Sequence, residues 1–217
     1  MKLKALILLL AAAASLTAAA RTAADFFAQA PATVLPLLPP NTRLDMLDYF
    51  NSHMSTPSNN SLGGRSRITT LADNAITVEM SRDASVQLAV IPAGRDTVVA
   101  VVETVLTPVA DSGIRLYRAA DWKELPAPAM PGVAQFAEPA RRKEALKADM
   151  PECLFVRAEY EPEDGTFRFT DTTPAYYTDA DRPEELRMLR ANIKMRLAKG
   201  RFVEAHDRDT IHHTSGA

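Results

Sequence analysis

A carboxylate inside an apolar strand is costly unless it is paired, and such residues often mark function. Glu103 is one, set in the β-branched run Thr97–Leu106 (TVVAVVETVL). Glu79 falls in a neighbouring alternating segment, and two strand-borne carboxylates could divide acid and base roles in a hydrolase. The bland account of Glu103 is a solvent-facing position near a strand end, or an ion pair with Arg82, Arg115 or Arg118. Glu103 is therefore a weak catalytic suspect, and no other catalytic residue is assigned.

The remaining reactive side chains suggest less. His206-Asp207-Arg208-Asp209 and His212-His213 crowd nitrogen and oxygen ligands into a polar tail. A metal site needs ligands held in fixed geometry, which a tail does not supply, so no metal is expected. His53 follows a predicted helix, where positive charge complements the dipole, and reads as a cap rather than a base. Cys153 is the only cysteine, which rules out an intramolecular disulfide and a cysteine-based zinc site. With no histidine or cation beside it, this thiol reads as a small core residue. Gly64-Arg65-Ser66-Arg67 has arginine where a nucleophile elbow needs its second glycine. No metalloprotease helix, phosphate loop or dinucleotide fingerprint is present, so no cofactor is expected.

Binding has better candidates. Tyr117 and Trp122 could form an aromatic contact patch, or could equally cap the core at the edge of a sheet. Tyr176-Tyr177 allows the same two readings. Leu62, Gly63 and Gly64 close a polar loop, Asn51–Gly64, just before a strand. They suit a tight entry turn or a binding loop.

The elements that must position these residues follow from periodicity. Thr22 with Asp25 three residues on predicts a capped helix carrying Phe26 and Phe27. Leu44, Leu47, Phe50 and Met54 predict a second helix, after an apolar piece broken by Pro36, Pro39 and Pro40. From Arg67 the period changes to two, through Ile76–Met80, Val86–Val90, Thr97–Leu106 and Ile114–Arg118. Short turns join these segments, which predicts an antiparallel meander. Residues 126–150 hold Pro126, Pro128, Pro131 and Pro139 and read as an excursion. Cys153–Tyr160 and Phe167–Phe169 flank the turn Pro162-Glu163-Asp164-Gly165 and predict a hairpin. Leu186, Leu189, Ile193 and Leu197 predict a final basic amphipathic helix starting near Pro183 and stopping at Gly200. The expected fold is α+β: a mainly antiparallel sheet, meander plus hairpin, covered by N-terminal and C-terminal helices.

Lys2 and Lys4, the apolar run Ala5–Ala14 and the small residues Ala18-Ala19-Ala20 have the layout of a secretory signal peptide. The run falls well short of the ~20 apolar residues a spanning helix needs. Residues 1–20 are thus expected to be removed, leaving a single domain over 21–204 and a flexible tail over 205–217. The product is expected to be soluble and exported, periplasmic or extracellular, with no transmembrane span. The whole chain carries a net charge of −2, and losing two lysines makes it more acidic. That balance lacks the footprint of a nucleic-acid binder.

Several short motifs also occur in a characteristic order. They are Asp25-Phe26-Phe27, Leu35-Pro36, Asn41-Thr42-Arg43-Leu44-Asp45 with Asp48, Asn60-Ser61-Leu62-Gly63-Gly64, Asp111-Ser112, Tyr117 and Asp121-Trp122-Lys123. Together they resemble a family of exported Bacteroidales proteins whose domain is of unknown function. The resemblance covers Ala23 to Val203 and is weakest over Pro126–Pro139. It implies a Gram-negative source and export, and supplies no activity and no catalytic residue. The function expected is a non-enzymatic binding or interaction module for an unknown protein or small-molecule ligand. The alternatives are a periplasmic hydrolase using strand carboxylates, and a membrane-surface protein using the basic final helix.

Overall fold

Thr22 opens the first helix as predicted. Its hydroxyl accepts from the Asp25 N–H at 3.3 Å, and the Asp25 carboxylate accepts from the Thr22 N–H at 2.8 Å. This computed structural model describes residues 21–205. The signal-like segment 1–20 and the tail histidines His206, His212 and His213 lie outside the described residues. Helix α1 (Ala23–Gln29) buries Ala23, Phe26 and Phe27. Helix α2 (Pro40–Asn51) starts on a proline, whose missing N–H has no partner to lose in a first turn. Arg43 of α2 is 1% exposed and donates to Phe27 O at 2.6 Å, giving a partner to a carbonyl in the last turn of α1.

The period-two segments form a seven-stranded antiparallel sheet whose strand order follows the chain. Its strands are β1 (Ser58–Asn59), β2 (Arg65–Ala72), β3 (Ala75–Ser81), β4 (Ala84–Ala93), β5 (Asp96–Val105), β6 (Asp111–Arg118) and β7 (Glu124–Leu125). On one face Ile76, Val78, Leu88, Val99, Val101 and Tyr117 pack beneath α1, α2 and the segment between them. On the other, Ala89, Ile91, Val98, Ala100, Val102 and Leu116 pack against a second sheet. The near-continuous apolar run of β5 is thus covered on both faces, as its composition predicts.

The second sheet has four antiparallel strands in the order β11-β10-β9-β8. They are β8 (Val156–Glu161), β9 (Thr166–Asp171), β10 (Asn192–Ala198) and β11 (Arg201–Glu204). The predicted hairpin is β8–β9. The fold is α+β and mainly antiparallel, arranged as helices, sheet and sheet.

The C-terminal helix is corrected. Only Glu184–Met188 is helical, as a short 3₁₀ turn, and Asn192–Ala198 is the strand β10. Two patterns coexist in this segment. Leu186, Leu189, Ile193 and Leu197 fit a helical stripe, but Asn192–Leu197 (NIKMRL) also alternates strictly. Ile193 and Met195 enter the core, while Asn192 and Lys194 stay outside. Register against β9 decides between them, since Ile193 lies opposite Phe169 and Met195 opposite Phe167. Gly200 ends no helix. Lys199 and Gly200 have φ of 51° and 75°, and Ala198 pairs with Arg201, which makes the two-residue hairpin turn that favours glycine. Gly200→Ala is therefore expected to cost about 1–2 kcal/mol, read as a lower urea midpoint. The membrane-surface alternative rested on that basic helix and loses its basis here. No helix among the described residues is long and apolar enough to cross a membrane.

Residues 126–150 contain the short helices α3 (Val133–Phe136) and α4 (Arg142–Ala145). This stretch is pinned to the 184–190 turn. Glu138 N–H donates to Met188 O, Arg190 N–H to Phe136 O, and Phe136 is fully buried. Cys153 is a second correction, being exposed rather than in the core. Strand β8 begins only at Val156, so Cys153 lies in the connection before it, and Val156 is the first residue of the strand to enter the core.

Candidate functional site

Strand alternation separates the two suspect carboxylates. Glu103 shares a face of β5 with Val99 and Val101, on the helix side. Glu79 lies opposite Ser85, which lies opposite Thr104, and this places Glu79 on the other face of the sheet. The pair therefore does not converge on one bond. Glu79 is held by Arg67 at 2.8 Å.

Glu103 is exposed and answered by an arginine, as its bland account proposed. Arg115 Nη2 donates to Glu103 Oε1 at 2.8 Å and to Val34 O at 3.2 Å. Its Nη1 donates to the Tyr117 hydroxyl at 2.7 Å. One guanidinium thus ties Glu103, Tyr117 and the main chain between the helices. Tyr117 is buried, and that burial pushes its phenol above the ordinary range, so it stays protonated as a neutral partner.

Arg115 anchors the segment that follows α1. Val34 and Leu35 N–H both donate to Pro31 O, and Leu38 N–H donates to Leu35 O. Prolines prevent a helix here, so the segment crosses the sheet as coil, burying Val34, Leu35 and Leu38. Between it and β3, β4 and β5 lies a crevice of about 190 Å³. Leu37, Met80, Ala84 and Val86 supply apolar wall, Glu103 stands among the lining residues, and Val105 is 55% exposed at its edge.

The Leu62-Gly63-Gly64 turn is joined to the same place. Asn60 Oδ1 accepts from the Leu62 and Gly64 N–H groups at 3.0 and 2.9 Å. Asn60 Nδ2 donates to Ser66 Oγ and to Met80 O, both at 3.1 Å. Ser61 N–H donates to Leu37 O at 2.9 Å. Gly63 has φ of 76°, and a Cβ on Gly64 would come within 2.9 Å of Asn60 Nδ2. This is the tight entry turn that the glycines suggested, and it holds Leu62 out in solvent, 78% exposed.

Tyr117 and Trp122 do come together, with ring centroids 6.1 Å apart. Trp122 also meets Phe26 edge-on at 5.9 Å. The three rings clasp α1 to the sheet, which is the core-capping arrangement. Trp122 has φ of 59° and sits in a turn fixed by Asp121. Arg118 donates twice to that carboxylate and the Lys123 N–H once, and these bonds hold its pKa at about 2.

His53 is exposed with φ of 56° just beyond α2, beside a wider groove bordered by Tyr49, Phe50 and Ile68. Among the described residues no group of three or more histidine, cysteine or acidic side chains is placed to hold a metal ion.

The structure therefore sets Glu103 in the lining of an apolar crevice, links Tyr117 to it through Arg115, and ties the Leu62–Gly64 turn to its wall through Ser61 N–H and Leu37 O. Sequence reasoning missed the crevice, Arg115 as its hub and Asn60 as its brace. The available signal was Val34–Leu38, an apolar stretch broken by Pro36 and bounded by Pro31, Pro39 and Pro40, and so obliged to pack as coil.

The family model for the protein of unknown function (DUF3256) matches residues 15–202. The chain belongs to this family. A solved structure of a domain of an uncharacterized protein from Porphyromonas gingivalis, a member of the Bacteroidales, is similar to it, with a TM-score of 0.66 and 23% identity. The alignment covers 84% of this chain and 96% of that one, and establishes the shared fold. No curated protein matches the chain. The resemblance to a Bacteroidales family with a domain of unknown function is thus borne out, and the crevice is a feature of this DUF3256 chain.

Proposed function

We propose that the chain is an exported, non-enzymatic binding module that takes an apolar group of its partner into the crevice beneath Val34–Leu38. The observation that carries this is the crevice itself, walled by aliphatic side chains, open to solvent and flanked by a single satisfied ion pair. An apolar group entering a solvent-open crevice with aliphatic walls removes apolar surface from water on both sides. A void of this size and lining therefore favours an aliphatic or aromatic group over a polar one. Glu103 and Arg115 give the edge a balanced polar contact. Tyr117 holds Arg115, Trp122 braces Tyr117, and the Leu62-Gly63-Gly64 turn is tied to the crevice wall by the Ser61 N–H to Leu37 O bond. Export rests on the signal-like layout of residues 1–20.

The hydrolase reading is weaker, because Glu79 and Glu103 face opposite sides of the sheet and each is bound to its own arginine. Fluorine NMR of fluorobenzene with dilute protein tests the proposal. Saturable binding is expected, abolished by Ala84→Phe, which fills the crevice, and retained in Glu103→Gln. Equal binding by the wild type and Ala84→Phe would overturn it.

A further inference from the structure

The crevice has an unused counterpart beside it. Among the described residues Leu62 is the most exposed large apolar side chain, and it sits on a turn that Asn60 fixes through two of its N–H groups. A side chain presented on so rigid a turn loses little further freedom on binding. The bond from Ser61 N–H to Leu37 O attaches that turn to the crevice wall. Knob and hole thus occupy adjacent positions at one end of the molecule. The hole has room for one branched aliphatic side chain, and the charges beside it are already paired as Glu103 and Arg115.

A knob beside a hole of matching chemistry is what an isologous contact requires, because a twofold axis uses the same patch on both copies. A free apolar ligand, or an unrelated protein side chain, would fill the hole and leave Leu62 in water. A second copy covers both with one contact. Resting on the crevice reading above, we infer that the chain forms a twofold dimer in which Leu62 of each copy enters the crevice of the other.

Sedimentation equilibrium of the full chain tests this, with circular dichroism confirming that each variant folds. The wild type is expected to dimerise reversibly. Leu62→Ala, which loses both knobs, and Ala84→Phe, which blocks both holes, should each weaken the dimer about a hundredfold or more. An equimolar mixture of the two variants should recover heterodimer, because one intact knob then meets one intact hole. Mere structural damage would not be rescued by mixing. Should Ala84→Phe fail to fold, Val105→Trp blocks the edge instead. A wild type that stays monomeric at the highest concentration attainable overturns the dimer, as does an unweakened Leu62→Ala dimer. Fluorobenzene binding by Leu62→Ala, lost on adding Ala84→Phe, would keep the crevice reading in either case. Failure of that binding would sink the crevice reading itself.

Discussion

Phe167→Ala is expected to lower the free energy of unfolding by about 3–5 kcal/mol. Phe167 is fully buried on β9 at the centre of the second sheet. Its ring meets Tyr160 at 5.2 Å, Phe202 at 5.1 Å and Phe169 at 6.1 Å between centroids. Truncation removes the ring's own burial and opens a cavity that neighbours on paired strands cannot collapse to fill. Phe202 lies on the edge strand β11 and is only half-buried, so Phe202→Ala should cost less. Urea denaturation followed by far-ultraviolet circular dichroism gives both values. Tryptophan emission adds an independent check, because Trp122 is the only tryptophan and packs in the helix-side core, whereas Phe167 lies in the core between the sheets. The two signals should fall together in the variant, since β5 contributes side chains to both cores. Separate transitions would mean that the second sheet unfolds on its own.

Such coupling through β5 was legible in the chain, because a strand whose residues Val98–Val102 are all apolar must be covered twice. The meander was legible for a similar reason: turn residues break strict alternation at short intervals, and neighbouring strands then pair in chain order. What failed was any feature depending on contacts between distant segments. Residues 192–198 satisfy a strand pattern and continue a helical one, and nothing local chooses between them. The choice is made by Phe167 and Phe169, which offer a row of partners to Ile193 and Met195. Cys153 failed through a boundary error, since an apolar run beside a strand need not belong to it. At the site, Glu103 and the glycine turn could be found from residue types alone. Their connection to one crevice could not, because it depends on a proline-rich coil that Arg115, the Ser61 N–H and the sheet hold in place.

Gln87→Leu carries the other large expected effect, a loss of about 2–4 kcal/mol, although it adds apolar surface. Strand β8 ends the second sheet, so its outward main-chain groups have no neighbouring strand among the described residues. Side chains of the first sheet take that role. Asp111 Oδ1 accepts from Val156 N–H at 3.0 Å, Ser112 Oγ from Ala158 N–H at 3.0 Å, and Gln87 Oε1 from Tyr160 N–H at 2.7 Å. Gln87 alone serves both polarities, because its Nε2 also donates to Tyr160 O at 3.0 Å. Leucine would leave an N–H and a carbonyl without partners between two packed sheets. Gln87→Glu separates the two contributions. A carboxylate still accepts from the N–H but cannot donate to the carbonyl, so at neutral pH the loss should be smaller than for leucine. A protonated carboxyl donates again, and the half-buried position also favours the neutral form. The folded-state pKa of the introduced acid is therefore expected to lie above its unfolded value of about 4.3. The sign follows: the recovered stability is full below that unfolded value and is lost as pH rises through the folded one. Measured against wild type at each pH, the deficit of Gln87→Glu should shrink on acidification while that of Gln87→Leu stays constant. A pH-independent deficit of Gln87→Glu would show that water, rather than Gln87, satisfies the Tyr160 carbonyl, and a deficit equal to that of Gln87→Leu would show the same for the N–H.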